Sequence, residues 1–404
     1  MLTTRGALAG IKVVECAQFV AGPYCTRLLA DLGAEIIKIE EPGIGDESRR
    51  KGPFLNDVPH PEKSGLFLYL NINKLGITLN LSLKTGQKLF RELIQGADIL
   101  VEDEPPGFMK QLGLDYEVLK GLNPRLIHTS ITPFGQTGPY KDYKAYYLNS
   151  YHSGGEGYTT PGGTDLPDQP PLKVGKFVGE YLSGIGAGVA ILAALYWRES
   201  SGLGQYIDIS KQEVLAGINA AELVRYPNDG AISTRKTRGY LSAGVFRCQD
   251  GYVELAFQQE KTWHIFVEMM GHPQWSKDDK FKDFSSREKN AAELKQHIAE
   301  FLKEYKREEI YQIAQEKRCT LGPYLTLNEV VNNQQMKWRG FFVDIGRQEV
   351  GRLSYPSGPY KFSETPWKCH RPAPLLGQHN EEVYCQRLGY SKDELVRLGE
   401  AGVV

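Results

Sequence analysis

The sequence predicts an α/β protein with more than one domain, and three observations carry that expectation. Strand and helix patterns alternate through the first third of the chain. A Gly- and Ala-rich apolar run near the middle implies a tightly packed core helix. Around residues 227–239 the composition turns basic and turn-rich, which marks a domain junction. Strands that alternate with helices of this length imply a parallel sheet covered on its faces, because a parallel neighbour is reached only through a crossover. A chain of 404 residues suits two or three domains of ordinary size.

The elements follow in order. Residues 11–16 form a short β-rich run. Pro23 opens a helix with Tyr24, Leu28, Leu29 and Leu32 on one face, and Gly33 closes it. Residues 35–39 and 77–81 read as strands, 85–94 as a helix, and 98–101 and 125–130 as further strands. A long helix is predicted over 181–198, a strand over 206–209 and a helix over 213–224. Beyond the junction, 244–247 and 252–257 read as a hairpin, followed by helices near 262–270, 292–304 and 308–315. Short strands return after 341, and a helical tail starts near Glu381. The expected domains are therefore 1–224, a smaller α+β domain at 225–340, and a C-terminal segment at 341–404.

Composition narrows the function. Apolar residues make up 41% and charged residues 24%, with a net charge of −1, so neither nucleic acid nor an anionic membrane is an expected partner. The first ten residues are polar with one basic residue, Arg5, and no targeting segment is expected. The apolar run 184–197 falls short of the ~20 residues that span a bilayer. A cytoplasmic protein is expected. The six cysteines are scattered, with no CxxC and no zinc-finger spacing, so reduced thiols and no metal site are expected.

The motifs leave alternatives open. Gly43-Ile44-Gly45 is not a dinucleotide-binding fingerprint, and neither GxxxxGK[ST] nor GxSxG occurs. The stretches Ser153-Gly154-Gly155-Glu156-Gly157 and Pro161-Gly162-Gly163 suit either close approach to a ligand or a plain loop. His152, beside Tyr151 and near Tyr146 and Tyr147, reads as catalytic or as a half-buried structural histidine. Glu180 enters the long apolar helix. It reads as a favourable charge at a helix N-terminus, or as a carboxylate nucleophile toward a thioester.

The block Phe19-Val20-Ala21-Gly22-Pro23-Tyr24-Cys25, followed by Leu29 to Glu40, resembles the signature of class III coenzyme A transferases. Members include formyl-CoA:oxalate, carnitine and benzylsuccinate CoA-transferases, and α-methylacyl-CoA racemases share the fold. Asn123-Pro124-Arg125-Leu126-Ile127, Gly135-Gln136-Thr137-Gly138-Pro139-Tyr140 and Pro374-Leu375-Leu376-Gly377-Gln378-His379 continue the resemblance along the chain. It implies a Rossmann-like large domain built from both chain ends, a smaller middle domain, and an interlocked homodimer or heterodimer. It also implies transfer of coenzyme A from an acyl-CoA to a small carboxylic acid, with coenzyme A as substrate and product and no permanently bound cofactor. A carboxylate forms an anhydride with the donor acyl group and then a thioester with coenzyme A.

Resemblance places that carboxylate at Glu180, where the family carries aspartate. It places coenzyme A contacts at Val20, Ala21, Leu79, Asn80, Leu81, Asp103, Glu104, Gln111, Lys144, Ala145 and Tyr146. The departures fall at these positions. Relatives usually have Asn-Phe-Arg-Pro-Gly where this chain has Asp103-Glu104-Pro105-Pro106-Gly107, and many have arginine at Gln111. Acidic residues beside a polyphosphate are unfavourable by Coulomb repulsion, unless the loop turns outward and Arg49, Arg50, Arg235, Lys236 or Arg238 compensates. The extra methylene of glutamate displaces its carboxylate by about 1.5 Å, and such a shift can cost ~10²-fold. An altered substrate with a glutamate nucleophile and a non-catalytic subunit beside an aspartate-bearing partner both fit. A racemase is a third reading, although racemases carry a His-Asp pair where this chain has Tyr146-Tyr147.

Overall fold

The computed structural model describes residues 6–162, 168, 170–235, 244–257 and 259–404. The chain runs β1 (Lys12–Cys16), α1 (Ala21–Asp31), β2 (Glu35–Glu40), α2 (Gly65–Leu70), β3 (Lys74–Thr78), α3 (Lys84–Gln95) and β4 (Ile99–Glu102). It continues through α4 (Phe108–Gln111), α5 (Tyr116–Leu122), β5 (Ile127–Thr132), α6 (Tyr147–Ser153) and α7 (Glu156–Thr159). Then come α8 (Val178–Ser201), β6 (Tyr206–Ser210) and α9 (Lys211–Ile218).

The six strands stand in the order β3-β2-β1-β4-β5-β6, with every neighbouring pair parallel. The chain winds outward from β1 to β3, returns to the centre at β4, and winds the other way. The loops after β1 and β4 therefore leave the sheet in opposite directions, opening a crevice at the carboxyl ends of these strands. Doubly wound sheets bind their ligands at this switch point.

Both faces of the sheet are covered. On one, Val13, Ile36, Ile99, Ile127 and Ile131 pack with Ala21, Cys25 and Leu29 of α1 and with Ala187 and Ile191 of α8. On the other, Val14, Ile77 and Leu100 meet Leu89, Phe90 and Leu93 of α3 together with Val383, Tyr384 and Val403 from the C-terminal segment. The ends of the chain thus share one core. Met1–Gly157, Lys173–Val224 and Gly340–Val404 form one compact unit, and Tyr158–Leu172 with Arg225–Arg339 form a second. Residues 158–172, which the sequence reading keeps with the first domain, group with the second unit. That unit holds an antiparallel sheet of Gly244–Cys248, Gly251–Leu255 and Leu321–Pro323. Its core joins Phe246, Val253 and Phe257 to Phe266, Leu294 and Ile298 of its helices.

Several boundaries differ from the sequence expectation. β3 spans Lys74–Thr78 rather than 77–81, because Lys74 is a buried strand residue and its charge does not mark a loop. Leu79, Asn80 and Leu81 accordingly leave the sheet at its carboxyl edge. The helix expected over 213–224 is two helices, Lys211–Ile218 and Ala220–Asp229, with Asn219 between them. Pro227 lies inside the second, where the sequence reading begins its turn-rich junction. Lys236 and Arg238 and residue Gly163 lie outside the described residues.

The core helix α8 is longer than expected, with 24 residues. Its polar last turn stays helical because Arg198 is buried against Asp98, Nη2 to Oδ1 at 2.9 Å. By length and composition α8 could cross a membrane, but half of its most apolar stretch is buried within the protein. It packs along α1 and over β5 and β6 as a core helix.

Candidate active site

The loop after β1 is held by a buried ionic cluster. Lys38 on β2 lies 2.8 Å from Glu15 and 2.7 Å from Asp46, and Lys74 on β3 lies 2.8 Å from Glu15. All four side chains are buried. The same groups reach the backbone of the loop and of the first turn of α1. Lys38 Nζ donates to the Ala17 carbonyl, Lys74 Nζ to the Pro23 carbonyl, and the Phe19 N–H donates to Asp46 Oδ1. Phe19 is thereby fixed in a left-handed conformation, with φ of +66°. Burial works against these charges, but the lysines hold the Glu15 and Asp46 carboxyls below their usual range. Burial lowers the Lys74 ammonium to about 8 despite Glu15.

Residues from four strand ends meet at the crevice. Asp103 follows β4, and its carboxylate accepts the Gln18 N–H of the β1 loop at 3.1 and 3.0 Å. Glu180 lies in the first turn of α8, 3% exposed. Lys211 begins α9 directly after β6, where Ser210 caps the helix by accepting from the Glu213 N–H. Lys211 Nζ sits 2.7 Å from Glu180 Oε2. These residues, with Gln18, Phe19 and Phe177, line a cavity of about 600 Å³. Phe177 wedges its edge between Phe19, 4.7 Å away, and Tyr147, 5.1 Å away, and so forms an aromatic wall beside Glu180.

A second, smaller cleft of about 130 Å³ shares Gln18 and Glu104 with this cavity, and Leu79, Asn80 and Leu81 line it. Charge along this rim is acidic. Burial pushes the Asp103 carboxyl well above the usual carboxylate range, although Lys211 draws it down. Burial and the neighbouring Glu102 and Glu41 push Glu104 up to about 7. Both carboxyls therefore take up protons more readily than free ones, which reduces the negative charge facing the cavity.

Residues 8–380 match the family described as CoA-transferase family III. The chain belongs to CoA-transferase family III. It is 32% identical to a formyl-CoA:oxalate CoA-transferase of Streptomyces avermitilis, over 98% of this chain and 99% of that one. It is 31% identical to the succinyl-CoA:(R)-benzylsuccinate CoA-transferase subunit BbsE of Thauera aromatica, over 94% of each. Among solved structures, a CaiB/BaiF family protein from Brucella suis is similar with a TM-score of 0.83 and 30% identity, covering 95% of this chain and 99% of that one.

The residues expected to serve a family III site fall into four groups. Asp103, Glu104, Ala145 and Tyr146 share the large cavity with Glu180, while Leu79, Asn80 and Leu81 share the adjoining cleft. Val20 and Ala21 are fully buried at the start of α1 and line neither space. Gln111 and Lys144 are exposed and line neither space.

Of the compensating cations proposed from sequence, the three among the described residues are engaged elsewhere. Arg49 is buried between Glu40 and Glu62, at 2.6 and 2.8 Å. Arg50 donates to the Ile44 carbonyl, and Arg235 to the Pro170 carbonyl. The acidic loop turns inward, since Asp103 and Glu104 line the cavity. Lys211, which sequence reasoning missed, is the cation beside Glu180. Its position two residues after an alternating strand, at a Ser-capped helix start, is the signal that could have found it, because such a residue opens onto the carboxyl edge of the sheet. His152 packs edge-on to Tyr151 and does not line the cavity. Gly154 serves packing, since a β-carbon there would stand 2.6 Å from Leu215 Cβ.

Proposed function

We propose that this chain moves coenzyme A from an acyl-CoA donor to a carboxylic acid, with Glu180 as the nucleophile. The observation that carries this reading is the buried Glu180 carboxylate opening onto a 600 Å³ cavity beside Asp103, Glu104 and Tyr146. One Glu180 oxygen attacks the donor thioester carbonyl, giving a mixed anhydride and free coenzyme A thiolate. The thiolate attacks Glu180 Cδ, releasing the donor acid and leaving a glutamyl-CoA thioester. The acceptor carboxylate attacks the same Cδ and frees the thiolate again. Thiolate attack on the acceptor acyl carbon yields the new acyl-CoA and restores Glu180. Each step exchanges one acyl bond for another of similar energy, so no redox or metal chemistry is called for.

In this reading coenzyme A enters along the cleft at Leu79, Asn80 and Leu81, passes Glu104, and brings its thioester to Glu180. Ala145 and Tyr146 border its path, and Gln111 and Lys144 stand at the outer edge. Tyr146 and Tyr147 suit a bulky or aromatic acyl group. The protein works in the cytoplasm, with its Rossmann-like large domain paired with a second chain in an interlocked dimer. Ile185, Val189, Leu192 and Tyr196 of α8 are exposed at helical spacing, an apolar stripe that a partner would cover.

Whether the partner is a second copy or a homologous subunit is open to a second reading, favoured because BbsE is named as one subunit of its enzyme. Intact-mass analysis after mixing the purified chain with acyl-CoAs and trapping with hydroxylamine or borohydride tests both. An adduct on Glu180, absent from Glu180→Gln, supports the transferase. A folded chain that gains activity only with a homologous partner supports the subunit.

A further inference from the structure

The Glu180–Lys211 pair has an asymmetry with chemical meaning. Lys211 Nζ holds Oε2 at 2.7 Å. Oε1 has no hydrogen-bond partner among the described residues. Glu180 is also the ion-pair partner of Lys211 among those residues. The two side chains come from different elements, α8 and α9, and both line the cavity. One carboxylate oxygen is thus tied to a cation and the other is available to attack.

This assignment fixes which oxygen carries charge later. If Oε1 forms the bond to the donor acyl carbon, Oε1 becomes the bridging oxygen of the anhydride and Oε2 becomes its carbonyl oxygen. Thiolate attack on Cδ then places negative charge on Oε2. The charge collapses as the Cδ–Oε1 bond breaks and the donor acid leaves with that electron pair. The same oxygen is charged again when the acceptor carboxylate attacks the thioester at Cδ and the thiolate departs. The first step differs, because its oxyanion forms on the donor carbonyl and not on Glu180.

We infer that Lys211 is a catalytic residue that directs Glu180 to attack through Oε1 and stabilises the oxyanion formed on Oε2 each time Cδ is attacked. This inference rests on the reading of Glu180 as nucleophile. A cation positioned on the oxygen where charge develops is the arrangement that stabilises such intermediates most. Lys211 contributes little to the first attack beyond orientation and much to the two attacks on Cδ.

The test separates these steps. Wild-type protein, Lys211→Met and Lys211→Arg are mixed with a reactive acyl-CoA at the alkaline plateau of each variant's pH profile. Rapid acid quench and intact mass then distinguish an acyl adduct from a coenzyme A adduct. For Lys211→Met we expect the acyl adduct to form and persist, with conversion to the coenzyme A adduct slowed by ~10²–10³-fold, the usual loss for one oxyanion partner. Lys211→Arg should recover part of that conversion. Equal slowing of both adducts, or no slowing, in a folded Lys211→Met protein overturns the inference while leaving Glu180 as nucleophile. Absence of any Glu180 adduct in the wild type with every donor overturns the proposed nucleophile, and this inference falls with it.

Discussion

The carbonyl oxygen of Ala21 lies 2.6 Å from the point where a β-carbon on Gly184 would stand. α1 and α8 cross there at backbone contact, and Gly184 is one helical turn beyond Glu180. This crossing sets the depth of the Glu180 carboxylate relative to the loop that precedes α1. Gly184→Ala should destabilise the protein by about 1–3 kcal/mol, as overpacking does, and should weaken adduct formation at Glu180. Gly188, one turn further on, has open space around it. Gly188→Ala should be neutral or stabilising by roughly 0.5–1 kcal/mol. Denaturant melts of the two variants decide the matter, and equal stability would remove the packing argument.

Shortening Glu180 tests its placement. Glu180→Asp withdraws the carboxylate by about 1.5 Å from Lys211, and the transfer rate should fall on the order of 10²-fold. Glu180→Gln should abolish covalent adducts altogether while leaving the fold intact. A Glu180→Asp variant as fast as the wild type would show that the cavity does not depend on the longer side chain.

The buried cluster around Glu15 makes the fold sensitive to acid. The folded-state pKa values of Glu15 and Asp46 lie below their unfolded values. Each therefore adds stability that is fully present above an unfolded value of about 4 and is lost as pH falls through the folded value. Thermal midpoints should drop steeply in that acid range. Glu15→Gln leaves Lys38 and Lys74 buried without their shared partner. It should cost about 3–5 kcal/mol at neutral pH and should flatten the acid limb of the stability curve.

Glu104 should couple coenzyme A affinity to pH. With its pKa pushed up to about 7, it is mostly neutral below that value and charged above it. A polyanionic ligand then meets one more negative charge as pH rises, so KM for an acyl-CoA should climb through neutrality. A single charge at close range in a wet cleft is worth ~1 kcal/mol, or about five-fold. Steady-state kinetics of Glu104→Gln should show the climb removed, and a profile unchanged by the substitution would assign it elsewhere.

Much of the scaffold is legible because its cause is local. The β-rich run at residues 11–16, the Pro-opened helix and its Gly33 stop, and the Ala-rich core helix all follow from spacing and residue type. Charged residues inside the core are harder to read. Lys74 looks like the end of a loop, yet it is a buried strand residue because Glu15, 59 positions earlier in the chain numbering, supplies its counter-charge from β1, two strands away in the sheet. Short helices such as α2, α5 and α6 also escape, since their few residues show too little periodicity to stand out.

The sequence by itself determined the family, the alternating order of strands and helices, and Glu180 as a carboxylate entering a buried helix. It could not say which charges face that carboxylate. Lys211 is separated from Glu180 by 31 positions, and nothing local to either residue pairs them. Asp103 and Gln18 are 85 positions apart and meet only because β1 and β4 are neighbours in the sheet. Winding order decided these pairings. A parallel sheet gathers the loops from all its carboxyl ends at one edge, and the reversal between β1 and β4 opens the space where they meet. Local spacing carries no information about that edge, so the tertiary structure alone placed a lysine on one oxygen of Glu180 and left the other without a hydrogen-bond partner among the described residues.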